Sequence, residues 1–358
     1  MEILKNEKFM SLDSIVRAID SFRAAILRAT LKIHFIRRLY SQTHYRLAAG
    51  MLFSTMFYLP IAFRWPELLL AFGPFIFGYP HLLASYRFTA RPQMFRLFMI
   101  ATFIAIVLHL TNAGFLSFDQ LPFGVWQIVV ASGTFLVAEY LSKSMTLKNV
   151  SLASLICITC ISLAWTEPVM YVGGVLILHN WVSFIYWIKS ANSKPEKKTA
   201  WLSTLLFLMI HILVYAGFLD SWIPMKEGVI AFDGATQNTG WYLASWTSES
   251  ITWYRLLVLY TFGLSIHYFV WLKAIPETHS KFAHPNSFRM IAQNLKNDLG
   301  AKTLVLTIVI SVIGMLIWSL SFSLGNRIYF ELAILHGSLE LIYVSTNIHP
   351  PCIPAPRS

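Results

Sequence analysis

Long runs of apolar residues, separated by short polar segments, dominate the chain from residue 47 onward. They have neither the alternation of a half-buried strand nor an internal repeat, so the pattern predicts helices. Crossing a bilayer takes about 20 apolar residues, within a range of roughly 17–25. The pattern predicts ten spanning helices, at 47–63, 68–88, 97–116, 121–142, 149–165, 168–188, 201–219, 254–275, 303–325 and 328–347.

The composition points to the same class of protein. Of the 358 residues, 56% are hydrophobic and only 13% are charged, whereas soluble domains average about 25% charged residues. A chain of this kind cannot cover itself with polar surface. We therefore expect an all-α fold, a polytopic transmembrane helical bundle.

The distribution of Lys and Arg gives an independent test of this topology, because cytoplasmic loops retain positive charge. If the amino terminus lies inside, the inner segments hold 24 of the 28 Lys and Arg residues. The ten spans then leave both termini cytoplasmic. The asymmetry also accounts for the net charge of +11 without nucleic acid as a partner. The outer segments carry Arg64, Lys226, Arg255 and Arg327.

The chain divides into a basic amphipathic segment at 1–46, a bundle at 47–347 and a tail at 348–358. The first segment is predicted to lie on the inner leaflet beside anionic headgroups; a solvated helix capping the bundle is the alternative. An external loop is predicted at 220–253 and an internal loop at 276–302. Because no signal peptide is visible, we expect a bacterial inner membrane, with an internal eukaryotic membrane as the alternative.

Six histidines fall within the predicted spans, where ionisable side chains are rare and usually face an interior site. Four of them are on helices that all run from outside to inside. Counted from the outer helix ends, their depths differ by about 8 Å at a rise of about 1.5 Å per residue. These four are His81, His179, His267 and His336.

Four imidazoles at one level predict a metal site near the midplane, since neutral imidazole is the usual ligand of iron, copper or zinc. A set without cysteine and with few carboxylates favours Fe(II). The alternative is that each histidine is a packing residue hydrogen-bonded to its own neighbour. His109 and His211 lie slightly nearer the outer surface, and we expect them beside the metal ligands or facing a substrate.

Other polar and aromatic residues accompany these histidines. Glu340 follows His336 by four residues, hence on the same helical face, where it could orient His336, bind the metal or be solvated at the helix end. Asn180 and Trp181 follow His179 directly. The predicted surroundings of the metal or substrate also include Tyr79, Tyr268 and Trp271.

Two other kinds of site can be set aside from the sequence. Lysine occurs in the predicted spans only at their inner ends, so a retinal Schiff base has no candidate. Cys157 and Cys160 form a CxxC within an apolar helix, where two small core residues are the expected interpretation rather than a redox or zinc motif. No HxxxH or HxxHH occurs, unlike in the histidine-box desaturases.

The stretch Gly78-Tyr79-Pro80-His81 and the stretch His336-Gly337-Ser338-Leu339-Glu340 resemble parts of one sequence pattern. That pattern, Gly-x-Pro-His-Gly-Ala-x-Asp, is typical of the Brp/Blh family of membrane β-carotene 15,15′-dioxygenases. Here Leu82 stands in place of the glycine, and the His-Gly-x-Leu-acid half lies on a different helix. The resemblance implies carotenoid cleavage at a four-histidine iron centre.

The sequence thus leads to a hypothesis with two alternatives. The leading hypothesis is a membrane-embedded non-haem iron oxygenase, in which His81, His179, His267 and His336 hold Fe(II). Dioxygen and an apolar, lipid-dissolved substrate such as a carotenoid would be its partners. The alternatives are a haem protein with two axial histidines, for example His81 with His179, and a transporter or lipid-binding protein with a polar site at the midplane.

Overall fold

The structure, a computed structural model, describes residues 12–78, 81–82, 125–141, 146–223, 250–279, 296–297, 301–320, 329 and 333–342. Within these residues every regular element is helical. The α-helices are α1 (Leu12–Thr30), α2 (His34–Ser41), α3 (Thr43–Arg64), α4 (Pro66–Phe72), α5 (Val125–Leu141), α6 (Leu147–Thr166), α7 (Pro168–Ser190), α8 (Lys194–Tyr215), α9 (Ser250–Phe269), α10 (Ile275–Thr278), α11 (Ala301–Leu320) and α12 (Ala333–Ile342).

The predicted all-α membrane class agrees with four helical segments that are long and apolar enough to cross a bilayer. The described part of the chain does not extend to all ten predicted spans: 97–116 lies outside it, as do residues 224–249 of the predicted external loop and the tail. The four segments are Thr43–Arg64, Leu147–Thr166, Lys194–Tyr215 and Tyr254–Thr278.

Helix starts follow ordinary capping chemistry. Pro66 and Pro168 stand in the first turns of α4 and α7, where a missing backbone N–H costs nothing. The side chain of Thr146 accepts a hydrogen bond from the Asn149 backbone N–H, and Ser193 forms a capping box with Glu196. Polar caps at these positions separate one apolar helix from the next.

Several predicted boundaries differ from the structure: the helix of the span predicted at 47–63 begins at Thr43, and that of the span predicted at 201–219 begins at Lys194. The span predicted at 201–219 ends at Tyr215, because Gly217 turns the chain with a φ of 82° and a short 3-10 helix follows at Asp220–Trp222. The span predicted at 254–275 begins at Ser250 and continues through a π-helical segment (Val270–Ala274) into α10. The span predicted at 68–88 begins at Pro66 and becomes π-helical at Gly73–Gly78.

Helix α9 is the centre of the described bundle. It packs against α3, α4, α7 and α8, while α5, α6 and α7 pack in sequence at the side. Gly50 lets α3 approach closely, because a Cβ there would lie 2.8 Å from the ring of Phe269. A side chain on α9 is therefore surrounded by protein on every side.

The two ends of α9 and its continuation are held by ion pairs. At one end Arg46 of α3 donates from Nε to Oε2 of Glu277 at 3.0 Å, and Lys273 pairs with the same carboxylate. At the other end Arg255 donates from Nε to Oδ1 of Asp220 at 2.9 Å, which holds the 3-10 helix on α9. These two groups of ion pairs thus lie at the two ends of α9 and its continuation.

The amino-terminal segment forms two helices rather than one, with a break at residues 31–33. Phe22 on α1 and Phe35 on α2 are largely exposed. Arg38 of α2 stacks on Tyr45 of α3, with 4.8 Å between the guanidinium carbon and the ring centroid. An exposed apolar face beside basic residues suits the predicted position at a membrane surface, which stays a prediction.

Candidate metal centre

His81 follows the π-helical turn Gly73–Gly78, which contains Pro74. Its ring is buried, and Nδ1–H donates a hydrogen bond to the Gly78 carbonyl oxygen at 2.8 Å. Because a carbonyl oxygen can only accept, this bond assigns the ring proton to Nδ1 and leaves a lone pair on Nε2. No described residue gives that Nε2 a hydrogen-bond partner.

His179 lies in the middle of α7 and is buried in the same way. Its Nδ1–H donates to the Val175 carbonyl oxygen of the preceding turn at 3.1 Å, which again leaves Nε2 as the basic nitrogen. Helix α12 comes close at this point, since a Cβ on Gly337 would lie 2.9 Å from Cγ1 of Val175 and 3.3 Å from Cβ of His179. Gly337 thereby brings His336 next to His179.

His267 lies in the last turn of α9, directly before the π-helical segment, and is fully buried. Within the described part of the chain, neither of its ring nitrogens has a hydrogen-bond partner. Leaving a buried polar atom unpaired costs about 1–3 kcal/mol. Two such atoms on one ring are a strong sign of an additional binding partner.

The structure brings the four predicted histidines together in a ring. The centroid of the His267 ring lies 4.8 Å from that of His81 and 4.6 Å from that of His179. The His336 ring completes the circuit, at 5.0 Å from His81 and 6.4 Å from His179. Imidazoles bound to one ion through bonds of about 2.1 Å have centroids about 4.5–6.5 Å apart, so these separations fit a common ion.

Three of the four already present their nitrogens to one another. One ligand atom each from His81, His267 and His336 lies within 4.8 Å of the others. Ligands at about 2.1 Å from one ion are about 3–4 Å apart, so small rotations of these side chains suffice. His179 adjoins the triad through its ring contact with His267. The arrangement can hold a transition metal with three or four nitrogen ligands.

Glu340 is buried next to this ring of histidines. Its Oε1 lies 3.0 Å from Nε2 of His336, but the contact lacks the geometry of a hydrogen bond, and neither carboxylate oxygen accepts one from any described residue. Of the three roles considered from the sequence, solvation at the helix end is wrong, because only 2% of Glu340 is exposed. Orienting His336 and binding a metal both remain possible roles.

Two tyrosines border the histidines. The ring of Tyr268 packs against that of His81 at 5.0 Å, and its hydroxyl is hydrogen-bonded to the hydroxyl of Tyr329 at 2.7 Å. Trp271 lies on the other side, with its ring 6.3 Å from that of His267. Tyr329 was not singled out from the sequence, where nothing distinguishes it from the other 14 tyrosines.

The structure describes three more of the predicted site residues, His211, Trp181 and Asn180, which are not part of the ring of four histidines. His211 packs on α8 against Phe207 and Trp181, at 4.1 and 5.3 Å between ring centroids, and its Nδ1–H donates to the Phe207 carbonyl oxygen at 2.9 Å. Asn180 is buried beside Gly263, and its Oδ1 has no described partner. Tyr79 and His109 lie outside the described residues.

The chain matches no protein-family model, no curated protein and no solved structure. The site therefore has to be interpreted from its own chemistry. A buried ring of imidazoles with a buried carboxylate fits iron, copper or zinc, since thiolate ligands are absent from this described cluster and imidazole suits these metals.

Proposed function

We propose that the chain is a membrane-embedded, histidine-ligated non-haem iron oxygenase that acts on an apolar, lipid-soluble substrate such as a carotenoid. One observation carries the proposal: buried nitrogens of His81 and His267 and the buried carboxylate of Glu340 lie in one cluster without hydrogen-bond partners among the described residues. A divalent cation would bind Nε2 of His81, one ring nitrogen of His267 and the carboxylate at once.

Glu340 is the buried group that most requires a positively charged partner. An ionised carboxylate that is removed from water without a donor or a cation is very unfavourable. The cationic side chains that form ion pairs near the ends of α9, Arg46 and Arg255, are engaged by Glu277 and Asp220. A bound metal ion therefore supplies the charge that a carboxylate at this position requires.

The choice of iron rests on the ligand set. Three imidazoles with one carboxylate, or four imidazoles, leave positions open on an octahedral ion, as the two-histidine, one-carboxylate triad does in non-haem iron oxygenases. Fe(II) at such a site would bind and activate dioxygen. The resemblance of the His81 and His336 stretches to membrane carotenoid dioxygenases supports this class of chemistry more than it supports a carotenoid as the particular substrate.

The chain's own residues would prepare the site in defined ways. Backbone carbonyls of Gly78 and Val175 hold the Nδ1 protons of His81 and His179, so both rings keep Nε2 for the metal. The rings of Tyr268 and Trp271 pack on the histidines and keep water away from them. A dry surrounding suits a substrate that arrives from the lipid phase.

The proposed setting is a bundle of ten spans with both termini in the cytoplasm, in a bacterial inner membrane. The four long apolar helices and the excess of Lys and Arg in the predicted inner segments support it. The substrate would reach the site laterally from the bilayer. Dioxygen is apolar and would reach the site through the bilayer as well.

The two alternatives fit the geometry less well. A porphyrin plane must pass between its axial ligands, whereas the rings of His81 and His179 both contact the ring of His267. A transporter would need midplane groups that stay accessible to solute, and the four histidines are almost completely buried. Their burial favours a closed centre that excludes water.

The deciding experiment is metal analysis of the protein purified from a membrane fraction, with an absorption spectrum. We expect about one iron per chain and no Soret band. His81→Ala and Glu340→Gln should lose most of the iron, and His211→Ala, a histidine outside the cluster, should retain it.

The same variants should be expressed in a carotenoid-producing host. We expect the wild-type protein and His211→Ala to consume the pigment and His81→Ala to leave it unchanged. Protein without a stoichiometric metal would contradict the metal centre. Protein with iron but without any change in pigment would contradict the carotenoid substrate alone.

A further inference from the structure

We infer that Tyr329 is a positioning residue for the metal centre: through Gly78 and Tyr268 it fixes the ring of His81 in the orientation that directs Nε2 toward the other histidines. This inference rests on the proposed function for its consequence, metal binding. The contacts that carry it involve four buried residues, Gly78, His81, Tyr268 and Tyr329.

The first contact is steric and lies at Gly78. A Cβ at this position would be 2.5 Å from Cε2 of the Tyr329 ring and 3.1 Å from its Cζ. Real Cβ atoms do not approach other atoms so closely, so the ring of Tyr329 occupies the space that any larger residue would fill. Glycine at position 78 is thus explained by the close approach of Tyr329.

The second contact transmits this packing to the histidine. The carbonyl oxygen of Gly78 is the acceptor for Nδ1–H of His81 at 2.8 Å. The Tyr329 ring therefore packs against Gly78. The carbonyl of Gly78 determines which nitrogen of His81 carries the proton and how the His81 ring is tilted. Groups that hydrogen-bond to a metal-ligating side chain commonly affect how tightly the metal is bound.

The third contact approaches His81 from the other side. The Tyr268 ring lies 5.0 Å from the His81 ring, and its position is fixed by the hydrogen bond of 2.7 Å between the hydroxyls of Tyr268 and Tyr329. Tyr329 thus holds both supports of His81, the carbonyl of Gly78 and the ring of Tyr268. We expect loss of the Tyr329 hydroxyl to release the Tyr268 ring and to loosen the packing of the Tyr329 ring against Gly78.

The experiment compares Tyr329→Phe with Tyr254→Phe. Both changes delete one buried tyrosine hydroxyl; Tyr254 donates to the Phe63 carbonyl oxygen at 2.6 Å. Tyr254 is 13 residues before His267 on α9, which places it about 20 Å away along the helix. It is therefore a control for the loss of a buried hydrogen bond as such.

Two measurements are made on the full-length protein in detergent. The first is the Nδ1–H resonance of His81 in protein labelled with ¹⁵N-histidine, assigned by its disappearance in His81→Ala. The second is the affinity for Co(II), with its visible spectrum as a report on ligand geometry. We expect Tyr329→Phe to shift the resonance and to weaken Co(II) binding about 10-fold, at the low end of effects on second-layer partners. Tyr254→Phe should change neither.

A second set of variants tests the steric contact. Gly78→Ala should also weaken Co(II) binding, whereas Gly78→Ala combined with Tyr329→Leu should bind no worse than Tyr329→Leu alone, because the colliding ring edge is gone. Tyr268→Phe combined with Tyr329→Phe should weaken Co(II) binding by less than the sum of the two single changes, since both remove the same hydrogen bond.

The outcomes separate the inference from the proposed function. An unshifted His81 resonance in Tyr329→Phe, an equal shift in Tyr254→Phe, or Co(II) affinity equal to that of the wild type overturns the positioning role. If the wild-type protein binds no metal but the resonance shifts in Tyr329→Phe alone, the positioning of His81 stands and the metal centre fails.

Discussion

Two helices of nearly equal hydropathy occupy opposite environments in this bundle. In an 18-residue stretch of Leu147–Thr166 the mean hydropathy is 1.7 and 11% of the residues are buried, whereas in such a stretch of Tyr254–Thr278 the mean hydropathy is 1.4 and 78% of the residues are buried. Hydropathy thus identifies a helix that can cross a membrane, but it does not tell a lipid-facing helix from a central one. The slightly more polar helix is the one inside.

The two spans differ in the kind of polar residue that they carry. On α6, Thr159 and Thr166 bond back to carbonyls one turn earlier, and Cys157 and Cys160 are half-buried free thiols. The central span instead carries ionisable groups that need a partner from another element, as Glu277 needs Arg46. In a membrane protein, such groups indicate the interior better than apolar residues do.

The largest expected effect follows from removing His267, the buried ionisable group in the last turn of α9. His267→Ala deletes a ring that contacts both His81 and His179, so we expect metal affinity to fall by more than about 100-fold, beyond the range seen for outer partners. The matched change on α6, Cys157→Ala with Cys160→Ala, should leave the metal content unchanged. Elemental analysis of both proteins measures the metal content. Loss of metal from the cysteine variant would show that the metal ligands lie on α6.

The next effect is on stability and compares apolar residues of the same two helices. Phe262 on α9 is fully buried and stacks on Phe207 at 5.8 Å, whereas Leu155 on α6 is 61% exposed. Phe262→Ala should lower the free energy of unfolding by about 3 kcal/mol through the cavity that it leaves. Leu155→Ala should change it by no more than about 0.5 kcal/mol.

Unfolding in mixed detergent micelles, followed by circular dichroism, measures both changes. Similar losses of stability in the two variants would mean that α6 is also packed against protein, and the contrast between the helices would be lost.

The sequence predicted the convergence of the four histidines because helix geometry converts residue count into depth. His81, His179, His267 and His336 lie at similar distances from polar turns, and at about 1.5 Å per residue that places them at one level. Which direction a ring faces depends on helix rotation and neighbouring helices. The sequence therefore gives an expected depth for His211, but it does not reveal the packing of that ring against Phe207 and Trp181.

Other parts of the site depend on contacts between distant segments. The spacing of His336 and Glu340 predicted a shared helical face, but burial of the carboxylate depends on how α12 packs on α7 at Gly337. The role of Tyr329 depends on a hydroxyl 61 residues away in sequence. The end of α8 differs from the predicted end because Gly217 turns the chain with a positive φ. A pattern of apolar residues does not reveal such a turn.

A smaller effect is expected at the end of the central span, where Glu277 pairs with Arg46 and Lys273. Glu277→Gln leaves the largely buried Arg46 without its carboxylate, and we expect a loss of about 2 kcal/mol, below the 3–5 kcal/mol of fully buried pairs, because Lys273 is half exposed. Arg46→Gln and the double variant complete a thermodynamic cycle in the same unfolding assay. Additive losses would show that the pair contributes no coupling.

The smallest effect concerns the opposite end of α9, where Asp220 and Arg255 form a partly exposed pair worth about 0.2–1 kcal/mol. The hydrogen bonds from Arg255 lower the pKa of the Asp220 carboxyl below its ordinary value, which is about 3.9. Because the folded-state pKa is the lower one, the pair stabilises the fold fully above the unfolded-state pKa. This stabilisation is lost as pH falls through the folded-state pKa.

We therefore expect Asp220→Asn to unfold slightly more easily than the wild type at pH 7, with the difference shrinking below about pH 4. Unfolding curves of the two proteins at about pH 7, 4 and 2.5 measure it, and a difference that is unchanged at the lowest pH would mean that Asp220 acts through something other than its charge.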